Sequence, residues 1–308
     1  MERVWKPVTD DDMALCFTPP HDFAMGIRGG PILPPNIVTS EAFAAGLSAH
    51  PSRYVLFYLP HTPSGQKVAM VAALYGLLDV ISVVARGSGR LAVDSGGNLH
   101  WSPELSAEER KALELSESVR SPVLVDVRTM QVLTNDPYRM PYAFRELARR
   151  RTGGGARLLS VDAVGAPEQQ WDARIFHELH AGVYRSGFLD SQDEYEQAVA
   201  GVFRFLSDLD ARLAEHRFLH GDALVPSDLW LYSLLVRFDQ VYGPAFRLHR
   251  YRLRDYGNVF RYLRELHRIP ACAFTTDFPA ISAGYFLGIA ALNRGIVPVG
   301  PDDLFLRE

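Results

Sequence analysis

The spacing of apolar and polar residues divides the chain into an early stretch that alternates short strands with helices and a later stretch with helical spacing throughout. Residues 53–59 (RYVLFYL) form a compact β-prone run, long enough for a buried strand. A polar stretch, residues 60–67 (PHTPSGQK), follows as a loop. Apolar positions then return at Val68, Ala69, Val71, Ala72, Leu74 and Tyr75, a helix-like stretch closed by Gly76. Residues 79–85 (DVISVVA) predict a second strand, and the Gly-rich residues 86–103 a polar loop. A short helix is expected at 106–116, two short strands at 121–127 and 130–133, and a helix from about 138 to 151. From Asp172 onward strand signals nearly vanish. Tyr195, Val199, Val202, Phe203, Leu206, Leu209 and Leu213 recur at helical spacing on one face. Residues 227–238 are apolar almost all round, as in a central bundle helix, and 258–269 are amphipathic again. Residues 1–50 read as an irregular Pro/Gly-rich leader wrapped on the body, and 270–308 as an irregular tail.

The order β-α-β, α, β-β-α is the thioredoxin-like arrangement, in which a proline before the third strand is usually cis; Pro122 stands in that place. The fold class is therefore a thioredoxin-like α/β domain followed by an all-α domain. The expected organisation is an extension at 1–50, the α/β domain at 51–151, a linker at 152–170 opening with TGGGA, and an all-helical domain at 171–308.

Composition narrows the function classes. A net charge of −4 over 308 residues leaves no electrostatic footprint for nucleic acid or an anionic membrane. Arg149, Arg150 and Arg151 read as a solvated helix end. The apolar stretch from Val68 to Ala85 is broken by Gly76 and Asp79, against a membrane span, and the N-terminus lacks the apolar core of a secretory signal. Cys16 and Cys272 fit neither a disulfide scaffold nor a zinc site, and a reducing cytoplasm is expected. His177 and His180 bring no further ligands near them, so no metal is expected.

Four segments carry a narrower resemblance: 182–188 (GVYRSGF), 235–242 (LVRFDQVY), 253–267 (LRDYGNVFRYLRELH) and 295–301 (GIVPVGP). They resemble the Xi class of glutathione transferases, the glutathionyl-hydroquinone reductases, over roughly residues 50–301. The resemblance implies a homodimeric enzyme acting on an aromatic or quinonoid small molecule. In that family the loop before the first helix carries Cys-Pro-Trp-Ala-His-Arg, whose cysteine attacks the thioether of the substrate. Counting back from Gly76 places Thr62 at the cysteine and Lys67 at the arginine. An unassisted threonine alcohol is a far weaker acid than a thiol and cannot form a mixed disulfide. The family's Glu-Ser pair corresponds to Asp136-Pro137, its tryptophan falls near Arg90, and one arginine is Ser118, with Arg120 close by. The thiol side thus maps to Lys67, Arg120, Ser121, Pro122, Val123 and Asp136, to hold glutathione or another low-molecular-weight thiol if any is bound. On the acceptor side Tyr184 and Tyr285 match family tyrosines, while Ala283 and Gly284 stand where histidines are expected.

His61 is an acid/base candidate beside the altered position, or a surface-loop histidine. Thr62 and Ser64 are oxyanion or thiolate donors, or caps of the first helix. Tyr184 and Tyr285 hold or protonate a substrate oxygen, or are buried aromatics with satisfied hydroxyls. Three readings stay open. The first is an enzyme doing cysteine-independent proton transfer, elimination, isomerisation or cyclisation through His61, Thr62, Ser64, Tyr184 and Tyr285. The second is a thiol S-transferase, and the third a non-catalytic pseudoenzyme.

Overall fold

The computed structural model describes residues 53–116, 119, 121–151, 158–162, 164–289 and 295–301. The leader, Cys16, Ser118, Arg120 and the TGGGA linker lie outside the described residues. The chain forms two compact units. One runs to Val161 and takes in Ile269–Asp277; the other holds Asp162–Arg268 and the chain from Phe278 onward.

The first unit is built on a six-stranded sheet of order β4-β3-β2-β1-β5-β6. Strands β1 (Tyr54–Tyr58) and β2 (Ile81–Ala85) are parallel, with Tyr54 opposite Ile81, and helix α1 (Pro63–Leu74) connects them. Apart from Ser82 their side chains are apolar or aromatic and almost wholly buried, which is why they read as continuous runs. Strand β5 (Val123–Asp126) pairs antiparallel with β1, and β6 (Gln131–Thr134) with β5. Helices α2 (Ala107–Ser116) and α3 (Met140–Arg150) complete the expected order, and the Ser121–Pro122 peptide is cis. A capping box starts α2: Ser106 Oγ accepts from the Glu109 amide (3.1 Å), and Glu109 Oε2 accepts from the Ser106 amide (2.7 Å).

Two expectations are corrected here. Residues 86–103 are a β-hairpin, not a loop: β3 (Gly89–Val93) and β4 (Leu99–Ser102) extend the sheet beyond β2. Asp94 Oδ1 closes its turn by accepting from the Gly96 and Asn98 amides, each at 2.8 Å. The polar stretch before Val68 is likewise helical from Pro63, a residue suited to the first helical position because its missing N–H is not needed there.

The second unit is helical. Helix α4 (Ala166–Arg174) runs through a π-helical turn (Ile175–His180) into α5 (Ala181–Phe188). Then come α6 (Gln192–Glu215), α7 (Pro226–Leu235), a second π-helical turn (Phe238–Tyr242) and α8 (Gly257–His267). The predicted face of α6 is buried from Val199 to Leu213, with Phe205 added to it, and α7 is buried along its whole length. The tail expectation is also corrected. Its early part folds as α9 (Pro270–Phe274), which groups with the first unit, and α10 (Phe278–Phe286), which belongs to the second.

Candidate functional site

In the first unit the candidates gather around the start of α1. Thr62 is its N-cap: Oγ1 accepts from the Gly65 amide (3.3 Å) and donates to the Leu59 carbonyl (2.9 Å). A side chain on Gly65 would meet that oxygen at 2.7 Å and Tyr58 Cβ at 3.0 Å, so the glycine lets the helix start close against the strand end. Ser64 and Lys67 are buried, and the Lys67 ammonium sits 4.7 Å from the Tyr138 ring centroid. His61 is half-buried in the turn before the cap. Ser121 Oγ accepts from the Leu59 amide (3.0 Å), tying the approach to α1 to the cis-proline segment, where Pro122 and Val123 are buried. Thr62→Ala should cost about 1 kcal/mol in urea unfolding while Thr62→Ser costs less, because Ser caps as well as Thr.

Asp136 is fully buried at the entry to α3. Its Oδ1 accepts from the amides of Tyr138 (2.9 Å) and Arg139 (3.0 Å), and its Oδ2 from the Arg139 guanidinium (3.1 Å). The carboxylate thus already has three donors from its own chain.

In the second unit three phenols converge. Tyr184 Oη lies 3.1 Å from Tyr285 Oη, which lies 3.4 Å from Tyr242 Oη. Tyr242 and Tyr285 are buried; Tyr184 keeps part of its surface exposed. Phe246 packs edge-on against all three rings, with centroids 5.2 to 5.9 Å away. The π-helical turns contribute to this placement: the first leads into α5, which carries Tyr184, and the second carries Tyr242. Gly187 on α5 allows the close approach, since a Cβ there would come within 2.4 Å of Phe246. Arg247, itself in a left-handed conformation (φ 63°), donates to the carbonyls of Ser186 and Gly187 (2.8 Å each) and so holds the end of α5. Burial, then the neighbouring phenols, raise the Tyr184 pKa well above its ordinary value, and burial does the same for Tyr242. Both are neutral O–H groups at physiological pH. In a near-ultraviolet phenolate titration these two phenols should stay un-ionised past pH 10, where exposed tyrosines ionise.

The structure therefore brings Tyr184 and Tyr285 together, as it does Thr62, Ser64 and Lys67 at the start of one helix. The sequence reading missed Tyr242 and Phe246. Their signal was present, since Tyr242 ends the recognisable LVRFDQVY segment, but its role depends on a π-helical turn that helical spacing does not reveal. The one described cysteine, Cys272, is fully buried in α9, and burial pushes its thiol pKa far up. Among the described residues no group of three or more His, Cys, Asp or Glu side chains could hold a metal, and no helix is long and apolar enough to cross a membrane.

No protein-family profile matches the chain. It is 33% identical over 187 residues to the glutathionyl-hydroquinone reductase YqjG of Escherichia coli, covering 60% of this chain and 57% of the relative. The match thus spans just over half of that curated relative. The glutathione-bound structure of YqjG aligns with 27% identity over 83% of this chain and 87% of that one, at a TM-score of 0.69. A Xi glutathione transferase from Phanerochaete chrysosporium aligns at 26% identity over 82% and 87% of the two chains, with a TM-score of 0.65. A glutathione transferase from Gordonia bronchialis is 30% identical over 82% of both chains, with a TM-score of 0.67. The chain belongs to the glutathione transferases, Xi class.

For a Xi-class chain the sequence content at the first helix is unusual against the motif described above. No cysteine lies between Cys16 and Cys272, so none occupies the sequence positions at the start of α1.

Proposed function

We propose that this Xi-class chain is an enzyme that acts on an aromatic or quinonoid small molecule without a thiol nucleophile. The observation that carries the reading is the phenol cluster: three hydroxyls in consecutive contact, one of them on a partly exposed ring. A protonated Tyr184, its ring partly exposed, can donate to a quinone or enolate oxygen. Tyr285 can then pass a proton along the chain of hydroxyls from Tyr242. Such an arrangement suits proton transfer, isomerisation or elimination, in which charge develops on a substrate oxygen.

The thiol side supports the same reading by what it has become. Thr62 spends its hydroxyl on capping α1 and on the Leu59 carbonyl, and Asp136 spends its carboxylate on two amides and Arg139. These residues do not fit glutathione in the manner implied for the family. His61 remains the acid/base candidate of the first unit, with Ser64 as a donor and Lys67, Ser121, Pro122 and Val123 as remnants of a thiol site.

A second reading, conjugation of a low-molecular-weight thiol, is favoured by Thr62 and Ser64 at the positive end of α1 and by the cis-proline segment. A turnover screen of quinones and conjugated enones, each run with and without glutathione, separates the two. Conversion that proceeds without glutathione and is lost in Tyr184→Phe supports the first reading. Conversion that requires glutathione and survives Tyr184→Phe overturns it.

A further inference from the structure

The hairpin that extends the sheet carries an apolar face that is only partly covered. Cross-strand pairing sets Leu91 opposite Trp101 and Val93 opposite Leu99, so these four side chains share one face of the hairpin. Leu91 is buried, yet Val93 is 50% exposed, and Leu158 beside it is 58% exposed. Between the hairpin floor, the end of α1 at Leu74, Leu158 and the start of α9 at Pro270 lies a cavity of about 650 Å³, contained within the first unit. That volume falls in the range of small-molecule sites, and the walls have their usual apolar character.

The charges at its edge are already matched. Asp79 forms a two-pronged pair with Arg151 (3.0 and 2.7 Å). Arg90 also lines the cavity, and its guanidinium is paired with Glu109 of α2 (3.4 Å). A charged ligand would lose hydration here without gaining a counter-charge. We infer that this groove is a second binding site, for an uncharged ring or acyl compound with at most one polar group, seated where the Asp79–Arg151 pair meets the rim. The site is independent of the phenol cluster, which lies in the other unit.

Fluorescence titration of the full chain with N-phenyl-1-naphthylamine, a neutral apolar probe, tests this. The expected result is saturable one-to-one enhancement, weakened at least about tenfold by Leu158→Arg or by Val93→Lys, because each puts a charge against the apolar ligand. Both residues are half-exposed, so circular dichroism should show both variants folded. Val299→Arg, at a fully exposed apolar residue elsewhere, should bind the probe as the wild type does. The sulfonated probe 8-anilinonaphthalene-1-sulfonate should compete poorly. Absence of saturable binding overturns the inference, as does binding that both groove variants leave unchanged or that Tyr184→Phe alone abolishes. A change in oligomeric state on Leu158→Arg, without probe binding, would assign the face to a second copy of the chain and equally overturn it.

Discussion

Asp228→Ala should destabilise the helical unit by roughly 3–5 kcal/mol, the largest single-site effect expected in the molecule. Asp228 is fully buried near the start of α7. Its Oδ1 accepts from the Leu219 amide (2.9 Å) and the Tyr262 hydroxyl (2.7 Å), and its Oδ2 from the Val225 amide (2.9 Å). One carboxylate therefore caps α7, pins the preceding loop and anchors α8. Truncation leaves three donors unsatisfied where water does not reach, each worth about 1–3 kcal/mol before relaxation. Urea unfolding followed by far-ultraviolet circular dichroism measures the loss; a change below about 1 kcal/mol would show that the loop repacks freely.

The same residue gives the protein a pH signature. Burial pushes its pKa up to about 6, against the hydrogen bonds that oppose the rise. A folded-state pKa above the unfolded value means that the folded unit binds a proton the unfolded chain releases. The stabilisation is fully present below about pH 4 and is lost as pH rises through 6. Wild type should gain stability relative to Asp228→Asn as pH falls from 7 to 4. A gap that stays flat over that window would contradict the assignment.

Tyr285→Phe should lower turnover of the true substrate about 100-fold, the order of a lost general acid or base, with a smaller effect on KM. Tyr285 is the middle member of the phenol chain, and removing its oxygen breaks the links to both Tyr184 and Tyr242. It is almost wholly buried, so it acts through Tyr184, and a merely structural role would lower stability without separating kcat from KM. Tyr184→Phe should match it in kcat and exceed it in KM. Equal turnover by wild type and both variants would remove the phenols from the mechanism.

Much of this architecture was legible from residue patterns. Strands β1 and β2 announced themselves because burial on both faces demands unbroken apolar runs, and the face of α6 because a surface helix needs one apolar stripe. The hairpin was missed because its alternation, Leu91 with Val93 and Leu99 with Trp101, is short and surrounds a polar Asp-Ser-Gly-Gly-Asn turn. Helix α10 was missed because it is apolar without a polar face and carries Gly284. The cap at Thr62 was one of two stated options for that residue. The meeting of Tyr184 with Tyr285, 101 positions apart, is a tertiary fact that no local pattern encodes. Tyr242 and Phe246 complete the cluster through a π-helical turn that breaks the ordinary period.

Calorimetric titration of the wild-type protein with glutathione tests most directly whether the chemistry has left the thiol site. With Thr62 and Asp136 engaged by neighbouring groups of their own chain, the expected result is no saturable heat up to millimolar glutathione. Saturable binding in the micromolar range would contradict it, and would return the start of α1 to its place as a thiol site.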